Sequence, residues 1–169
     1  QINEASTRST FEGAVGLSTA IIDQEEQITV VEGGKTLNFV TTSGDTVETT
    51  MNKLEKALKA SGLNLELIRE PGMSSEPNQP QLLVFRHKEF GSEPSFQVAS
   101  NTPGLLSTDG DVPVLIQNGI DVSGTIGGEF AQGKGQVLTG SEPTKVSGVQ
   151  VKYTGDLAPE GGFAGSVTI

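Results

Sequence analysis

Residues 27–40 read QITVVEGGKTLNFV, and the fold predicted from the sequence is built outward from this stretch. Residues 27–31 and 36–40 are rich in β-branched and apolar side chains, which favour strands. The turn between them contains Gly33 and Gly34, and glycine adopts the backbone angles of a tight turn without steric cost. Two strands joined across a Gly-Gly turn predict a β-hairpin.

An amphipathic helix is predicted at residues 45–61, directly after this hairpin. Four apolar residues recur at spacings of four, three and four, which places them on one helical face. They are Val47, Met51, Leu54 and Leu58. Asp45 is expected to cap the first turn, with Glu48 in the acidic position of a capping box, and Gly62 is expected to end the helix. Three lysines suit the C-terminal end of the helix dipole and are interpreted as a solvated face: Lys53, Lys56 and Lys59.

The rest of the chain reads as short strands. Those at 63–68, 81–86 and 96–99 give the order β-β-α-β-β-β, which predicts an α+β fold with the helix packed across one antiparallel sheet. After residue 101 glycine and aspartate become frequent, and strands are predicted at 112–117, 120–126, 136–138, 149–153 and 166–169. We therefore expect a connecting segment at 1–20, an α+β unit at 21–105 and a Gly-rich, mainly β unit at 106–169.

Composition excludes several classes of function. The 169 residues include 11 Lys+Arg and 21 Asp+Glu, a net charge of −10, which disfavours nucleic acid and anionic membrane surfaces as partners. No apolar run approaches the roughly 18 residues that a membrane-spanning helix needs. Cysteine is absent and histidine occurs once, so thiolate chemistry and clusters of histidine ligands are ruled out.

Few residues are candidates for chemistry. His87 is the only imidazole base available, and its polar neighbours predict a surface histidine without a catalytic role. The segment 109–111 (Asp-Gly-Asp) and Asp121 suggest a calcium loop but lack the ligand spacing of an EF-hand, and Asp-Gly-Asp is also an ordinary turn. The Gly-rich segments 124–128 and 133–135 lack the context of a phosphate loop and are interpreted as turns and close backbone approaches. No catalytic, cofactor-binding or metal-binding residue is therefore assigned.

The C-terminal third carries a resemblance to a known family. Residues 118–131 read NGIDVSGTIGGEFA, residues 133–140 read GKGQVLTG, and residues 148–155 read GVQVKYTG. These stretches resemble the variable outer region of bacterial flagellins, and they are also similar to flagellar filament-cap proteins. Upstream, the strand at 28–31, Gly33-Gly34, Thr36-Leu37 and the helix from Asp45 resemble the flagellin-hook motif of that family.

The resemblance implies a structural role. We expect a surface-exposed, non-catalytic domain of a flagellar filament subunit that serves motility, without a cofactor, and secreted to the extracellular flagellum without a cleaved signal peptide. Because the family's polymerising coiled-coil segments are not among these 169 residues, the chain is expected to be an excised outer domain. It would be monomeric in isolation, and its contacts with other flagellar subunits would lie in parts that it does not contain. The alternatives are a filament-cap or adhesive binding module, and a secreted carbohydrate- or calcium-binding β domain.

Overall fold

Strands dominate the computed structural model, which describes residues 1–69, 76–106, 114–116 and 118–156. The structure is mostly β, with 39% strand, 14% helix and several antiparallel sheets, so the predicted α+β class is wrong. The error has a physical cause. Local periodicity identifies single elements, whereas the class depends on how strands from distant parts of the chain pair, and those pairings are not periodic.

The elements follow one another as short segments. The strands are β1 Ile2–Glu4, β2 Arg8–Glu12, β3 Gln27–Glu32, β4 Lys35–Val40, β5 Leu65–Ile68, β6 Val84–Phe90, β7 Gln97–Ser100, β8 Val114–Leu115, β9 Ser123–Ile126, β10 Glu129–Lys134, β11 Val137–Gly140 and β12 Gln150–Lys152; the helices are α1 Thr19–Ile22 and α2 Val47–Ser61. They form three sheets, with the orders β1-β9-β10-β11-β12, β2-β6-β5 and β4-β3-β7-β8. The predicted single sheet is thus two sheets, because β5 and β6 pair with each other and not with the hairpin.

The described residues divide into two compact units. Unit 1 contains the described residues of Gln1–Ser9, Glu89–Pro94 and Asn118–Ile169. Unit 2 contains the described residues of Thr10–Lys88 and Ser95–Gln117. The units are therefore interleaved along the chain, unlike the contiguous ranges 1–20, 21–105 and 106–169 that were expected. The predicted division into 1–20, 21–105 and 106–169 stays a prediction.

The hairpin at 27–40 is confirmed within unit 2. β3 and β4 pair in the register Gln27↔Val40 through Glu32↔Lys35. Gly33 and Gly34 have φ angles of 57° and 78°, and positive φ at both central residues matches a type I′ turn. The twist of this turn agrees with that of the strands, so the local sequence is sufficient to predict the hairpin.

The N-cap of helix α2 lies one residue after the predicted cap, Asp45. The cap is Thr46, whose side-chain oxygen accepts a hydrogen bond from the Thr49 N–H at 3.1 Å. Asp45 instead forms an ion pair with Lys53, with Nζ and Oδ2 2.5 Å apart. Gly62 ends the helix in the left-handed conformation, at φ 70°. Asp45 and Thr46 are both good capping residues, and composition alone did not decide between them.

The four apolar residues of α2 are buried in the core of unit 2. Leu54 is fully buried, and the face joins a cluster built from both sheets of this unit. The largest fully buried side chains around it include Phe85, Phe96, Leu17, Ile22 and Ile28. The helix is one covering element of a β structure, and its packing follows from the 3.6-residue period.

Unit 1 has a thinner core beneath a five-stranded sheet. Its buried apolar side chains are Ile2, Val122, Ile126, Ala131 and Leu138. Small residues let backbone segments approach from the inner side of this sheet. A Cβ added to Gly133 would overlap the carbonyl oxygen of Val122. The Gly-rich sequence therefore reflects close packing of backbone on backbone.

Most of the other predicted strands are present, but their ends differ from the predicted ones. Strands β5, β6, β7, β9, β11 and β12 overlap their predicted ranges, and of the range 112–117 the structure has β8. The predicted strand at 166–169 lies outside the described residues. Strands β1, β2 and β10 were missed, because their alternation is hidden by polar and glycine residues.

Substituting Leu54 with Ala tests the packing of α2. The free energy of unfolding should fall by about 2–5 kcal/mol, because the change leaves a cavity at a fully buried site. Urea denaturation measures this loss. Lys56→Ala, at an exposed position of the same helix, is the control and should stay within about 0.5 kcal/mol of the parent. Equal stability of the two variants would contradict the assigned packing.

Candidate functional site

In the part of the chain that the structure describes, several acidic side chains accept hydrogen bonds from backbone N–H groups of neighbouring loops. They are Asp23, Glu26, Glu32 and Asp121. A loop has N–H groups without a strand partner, and a carboxylate is a strong acceptor for them. These carboxylates are the most chemically distinctive groups of the described structure, and the surroundings of each determine what chemistry it can perform.

Asp121 joins three segments of unit 1. Its Oδ1 accepts hydrogen bonds from the N–H of Gly135 at 2.7 Å and from the N–H of Ser92 at 3.1 Å. Its Oδ2 accepts the Ser92 hydroxyl at 2.5 Å. Gly91 packs closely, since a Cβ there would lie 2.5 Å from Oδ1. The carboxylate thereby fixes the segment before β9, the segment at 89–94 and the β10–β11 turn.

These contacts lower the pKa of Asp121 from its ordinary value of 3.8. Partial burial by itself raises the pKa, but the hydrogen bonds from Ser92 and Gly135, together with the charge of Lys134, outweigh it. The ionised form is the one that the fold stabilises. Asp121 is thus suited to hold loops and poorly suited to act as a general acid or base near neutral pH.

Glu26 performs the same task inside unit 2. It is 1% exposed, and its two carboxylate oxygens accept the N–H of Thr102 at 2.8 Å and the hydroxyl of Thr102 at 2.6 Å. Its carbonyl oxygen accepts the N–H of Thr41 at 2.9 Å. Glu26 therefore connects the loop after β7 to the end of the hairpin. Sequence reasoning missed it, because Glu25-Glu26 looks like any acidic turn.

His87 is buried, so the prediction of a surface histidine is wrong. Its exposed fraction is 2%, and its Nε2 lies 3.4 Å from Oε1 of Glu32. The other oxygen of Glu32 accepts the N–H of Asn64 at 3.0 Å. The predicted strand ended at Arg86, but β6 continues to Phe90, and the alternation of the strand turns His87 inward with Phe85.

This pair does not form a working catalytic site. An imidazole and a carboxylate are two parts of a nucleophile-activating relay, and the third part must reach a substrate. The side chain of His87 is 3% exposed, so a substrate in solution cannot contact it. The arrangement supports packing and loop fixation.

The carboxylates that suggested a calcium loop do not assemble a described metal site. The segment 109–111 lies outside the described residues. Within the residues that the structure does describe, no group of three His, Asp or Glu side chains is placed to hold a metal ion. Asp121 uses both oxygens on the protein itself, and calcium binding stays a prediction.

The Gly-rich segments form turns and close approaches, as their sequence predicted. Gly127 and Gly128 have φ angles of 59° and 83° in the turn that joins β9 to β10. Gly135, at φ 56°, occupies the next turn and donates its N–H to Asp121. Their positive φ angles are the reason for glycine at these positions.

The three lysines of α2 lie on the solvated side of the helix, as predicted. The side chains of Lys53 and Lys59 are 48% and 73% exposed. Lys59 pairs with Glu55, one helical turn earlier, at 2.7 Å. An exposed pair of this kind stabilises a helix by only about 0.3–0.5 kcal/mol.

One exposed surface stands out, the outer face of the unit 1 sheet. Phe130 on β10 is 70% exposed and is paired across the sheet with Thr125. Two depressions, of about 470 and 400 Å³, lie on this sheet, and Gln132 and Thr139 line both. The sequence indicates this face, because successive side chains of a strand point to opposite sides. The small residues Ala131 and Gly133 alternate in β10 with Phe130, Gln132 and Lys134, which therefore share the opposite face.

Among the described residues, neither helix has the length and apolar character that spanning a membrane requires. Comparisons of the chain with protein-family models, with curated proteins and with solved structures find no match. A proposal for the function of this chain therefore has to be argued from its own residues and their geometry.

Substituting Asp121 with Asn tests the role of its charge. Since the fold lowers the pKa of this carboxylate, its stabilising contribution is full above pH 3.8 and is lost as pH falls through the lower, folded-state value. Asp121→Asn should therefore be less stable than the parent at pH 7, and the difference should shrink below about pH 3.8. Urea denaturation across this pH range measures it.

Glu129→Gln, at an exposed position in unit 1, is the matched control for removing one negative charge. It should not reproduce the loss of stability at pH 7. A pH-independent effect of Asp121→Asn, or an equal effect of Glu129→Gln, would contradict the proposed role of the charge.

Proposed function

We propose that this chain is a surface-exposed, non-catalytic structural domain of a bacterial flagellar filament subunit. The observation that supports the proposal best is the fold of residues 118–155, the stretch that resembles flagellar proteins. Most of it forms one continuous antiparallel meander, β9-β10-β11-β12, in the sheet of unit 1. Because these strands pair with one another, members of a family could share this stretch as one structural element.

The upstream resemblance also has a matching local structure. The hook-type motif implies a strand, a Gly-containing turn and a Thr-Leu pair that lead into an amphipathic helix. In unit 2 these are β3, the Gly33-Gly34 turn, Thr36-Leu37 in β4, and α2. This order is common in β-rich proteins, so it adds less support than residues 118–155 do.

The use of ionisable groups supports a structural role. Glu26 and His87 are buried, and Asp121 has both oxygens bonded to the protein's own loops. A catalytic carboxylate or imidazole must instead be within reach of the proton it moves. These groups hold the fold in place, as expected of a domain whose task is to present a surface.

Charge and composition fit an exported, densely displayed protein. With 21 Asp+Glu against 11 Lys+Arg and no cysteine, neighbouring copies repel one another and no disulfide has to form after export. Under this proposal the domain is extracellular, takes part in motility and needs no cofactor. Its partners are other flagellar subunits, and nucleic acid and membranes are not among them.

The second candidate is the filament cap or a related adhesive module. One observation favours it: Phe130 is 70% exposed on a sheet face, and large exposed aromatic side chains are typical of contact surfaces. A cap contacts subunits or external surfaces at the filament tip, so such a side chain would have a use there.

Immunogold labelling of intact cells of the source bacterium tests both candidates. Antibodies raised against this 169-residue chain should label filaments along their whole length if it belongs to the filament subunit, because every subunit then displays the domain. Serum pre-absorbed with the purified chain is the control. Label confined to filament tips would favour the cap, and cells that carry flagella without any label on them would contradict both candidates.

A further inference from the structure

The segment 1–7, which we call the arm, completes unit 1 from a distant part of the sequence. Residues Gln1–Ser9 belong to unit 1, whereas the residues directly after them belong to unit 2. Strand β1 of the arm pairs antiparallel with β9, which lies in the last segment of unit 1. β1 is an edge strand of the described sheet, so it is paired on one side only.

The arm lies along residues 119–125, which we call the track. At one end the N–H of Thr125 donates to the carbonyl oxygen of Gln1 at 2.7 Å. At the other end the N–H of Thr7 donates to the carbonyl oxygen of Ile120 at 2.8 Å, and the Thr7 hydroxyl accepts the N–H of Ile120 at 2.9 Å. The track therefore binds an extended segment mainly through its backbone, as in recognition by strand addition.

Two glycines give the arm its place on the track. A Cβ on Gly124 would lie 2.1 Å from the carbonyl oxygen of Gln1, and a Cβ on Gly119 would lie 2.1 Å from that of Thr7. Neither glycine has a positive φ, so turn geometry does not explain them. The close approach of the arm backbone explains glycine at both positions.

Ile2 is the side chain that anchors the arm in the core of unit 1. It is one of the five buried apolar side chains of that core among the described residues. The other two residues of β1, Asn3 and Glu4, are exposed, and the register shifts between Ile2 and Glu4. A short, irregular edge strand with one buried side chain opens more readily than the rest of its sheet.

We propose that the track binds the arm of a second copy of this chain, so that two copies exchange their arms. The second copy is the occupant that fits, because its arm presents the same Ile2, the same backbone groups and the same Thr7 hydroxyl. A chain's own arm competes at an effective concentration on the order of 1 mM, which is typical of short tethers. At a similar protein concentration, the arm of a second copy takes a comparable share of the tracks. The proposal goes beyond the structural role above and does not depend on it.

Cysteine cross-linking tests the exchange, because the 169-residue chain contains no cysteine of its own. Glu4 and Ser123 are partners across β1 and β9, so thiols at these positions lie within reach of a disulfide. Glu4→Cys and Ser123→Cys are prepared as separate variants, one of them isotope-labelled, mixed at about 1 mM and oxidised. We expect a disulfide-linked heterodimer, which its mass identifies.

The controls separate exchange from random collision. The double variant Glu4→Cys/Ser123→Cys, oxidised at about 1 µM, should close within one chain and thereby check the pairing. In a second mixture Gln150→Cys replaces Ser123→Cys, since Gln150 is exposed on the opposite edge strand of the same sheet. The Ser123→Cys mixture should give about ten times more heterodimer than this one.

A synthetic peptide of residues 1–9 tests whether the track is the binding site. In excess it should lower the yield of heterodimer, because it occupies the track. The same peptide with Ile2→Ser lacks the buried anchor and should leave the yield unchanged.

Four outcomes would overturn the proposal. Equal yields from the Ser123→Cys and Gln150→Cys mixtures would show that each arm stays on its own track. A yield that the peptide does not lower would place the contact elsewhere. A double variant that does not close would contradict the pairing of β1 with β9. A peptide carrying Glu4→Cys that cross-links to Ser123→Cys, without any heterodimer between intact chains, would assign the track to a segment of another protein.

Discussion

The hydrogen bond from a loop N–H to a carboxylate oxygen is the interaction on which the described structure depends. The strands are only two to seven residues long, so much of the backbone lies in connections without a strand partner. Buried N–H groups need acceptors, and a carboxylate is among the strongest that a side chain provides. Glu26 and Glu32 serve unit 2 in this way, and Asp121 serves unit 1. Part of the acidic composition is thus structural, and the rest gives the surface its charge.

The cores of the two units are packed in different ways. In unit 2 the face of α2 and two sheets enclose a core with Phe85 and Phe96 at full burial. In unit 1 the core is small, and glycine brings backbone against backbone where larger side chains would otherwise fill the space, as at Gly133 beside Val122. Phe130 lies on the outer face of this sheet and not in the core.

Local signals in the sequence predicted what depends on local geometry. The Gly33-Gly34 turn fixes its own hairpin, and the spacing of Met51, Leu54 and Leu58 identifies the buried face of α2. Features that join distant residues were not predictable. Glu26 meets Thr102 from 76 positions away and His87 meets Glu32 from 55, so neither contact leaves a local pattern in the sequence. The fold class failed for the same reason, since strand pairing decides it. The outward-facing residues of β10 can be recognised in retrospect from the alternation of the strand, once Gly133 is known to face inward.

Amide hydrogen exchange at single-residue resolution tests most directly whether carboxylates hold these loops. The N–H groups of Asn64, Ser92, Thr102 and Gly135 all donate to carboxylate oxygens and lie outside the strands. They should exchange as slowly as the amides of neighbouring strands, because opening them requires local unfolding. Exchange at the rate of open loops, with the strands still protected, would show that the carboxylates do not fix these segments and would contradict this account of the fold.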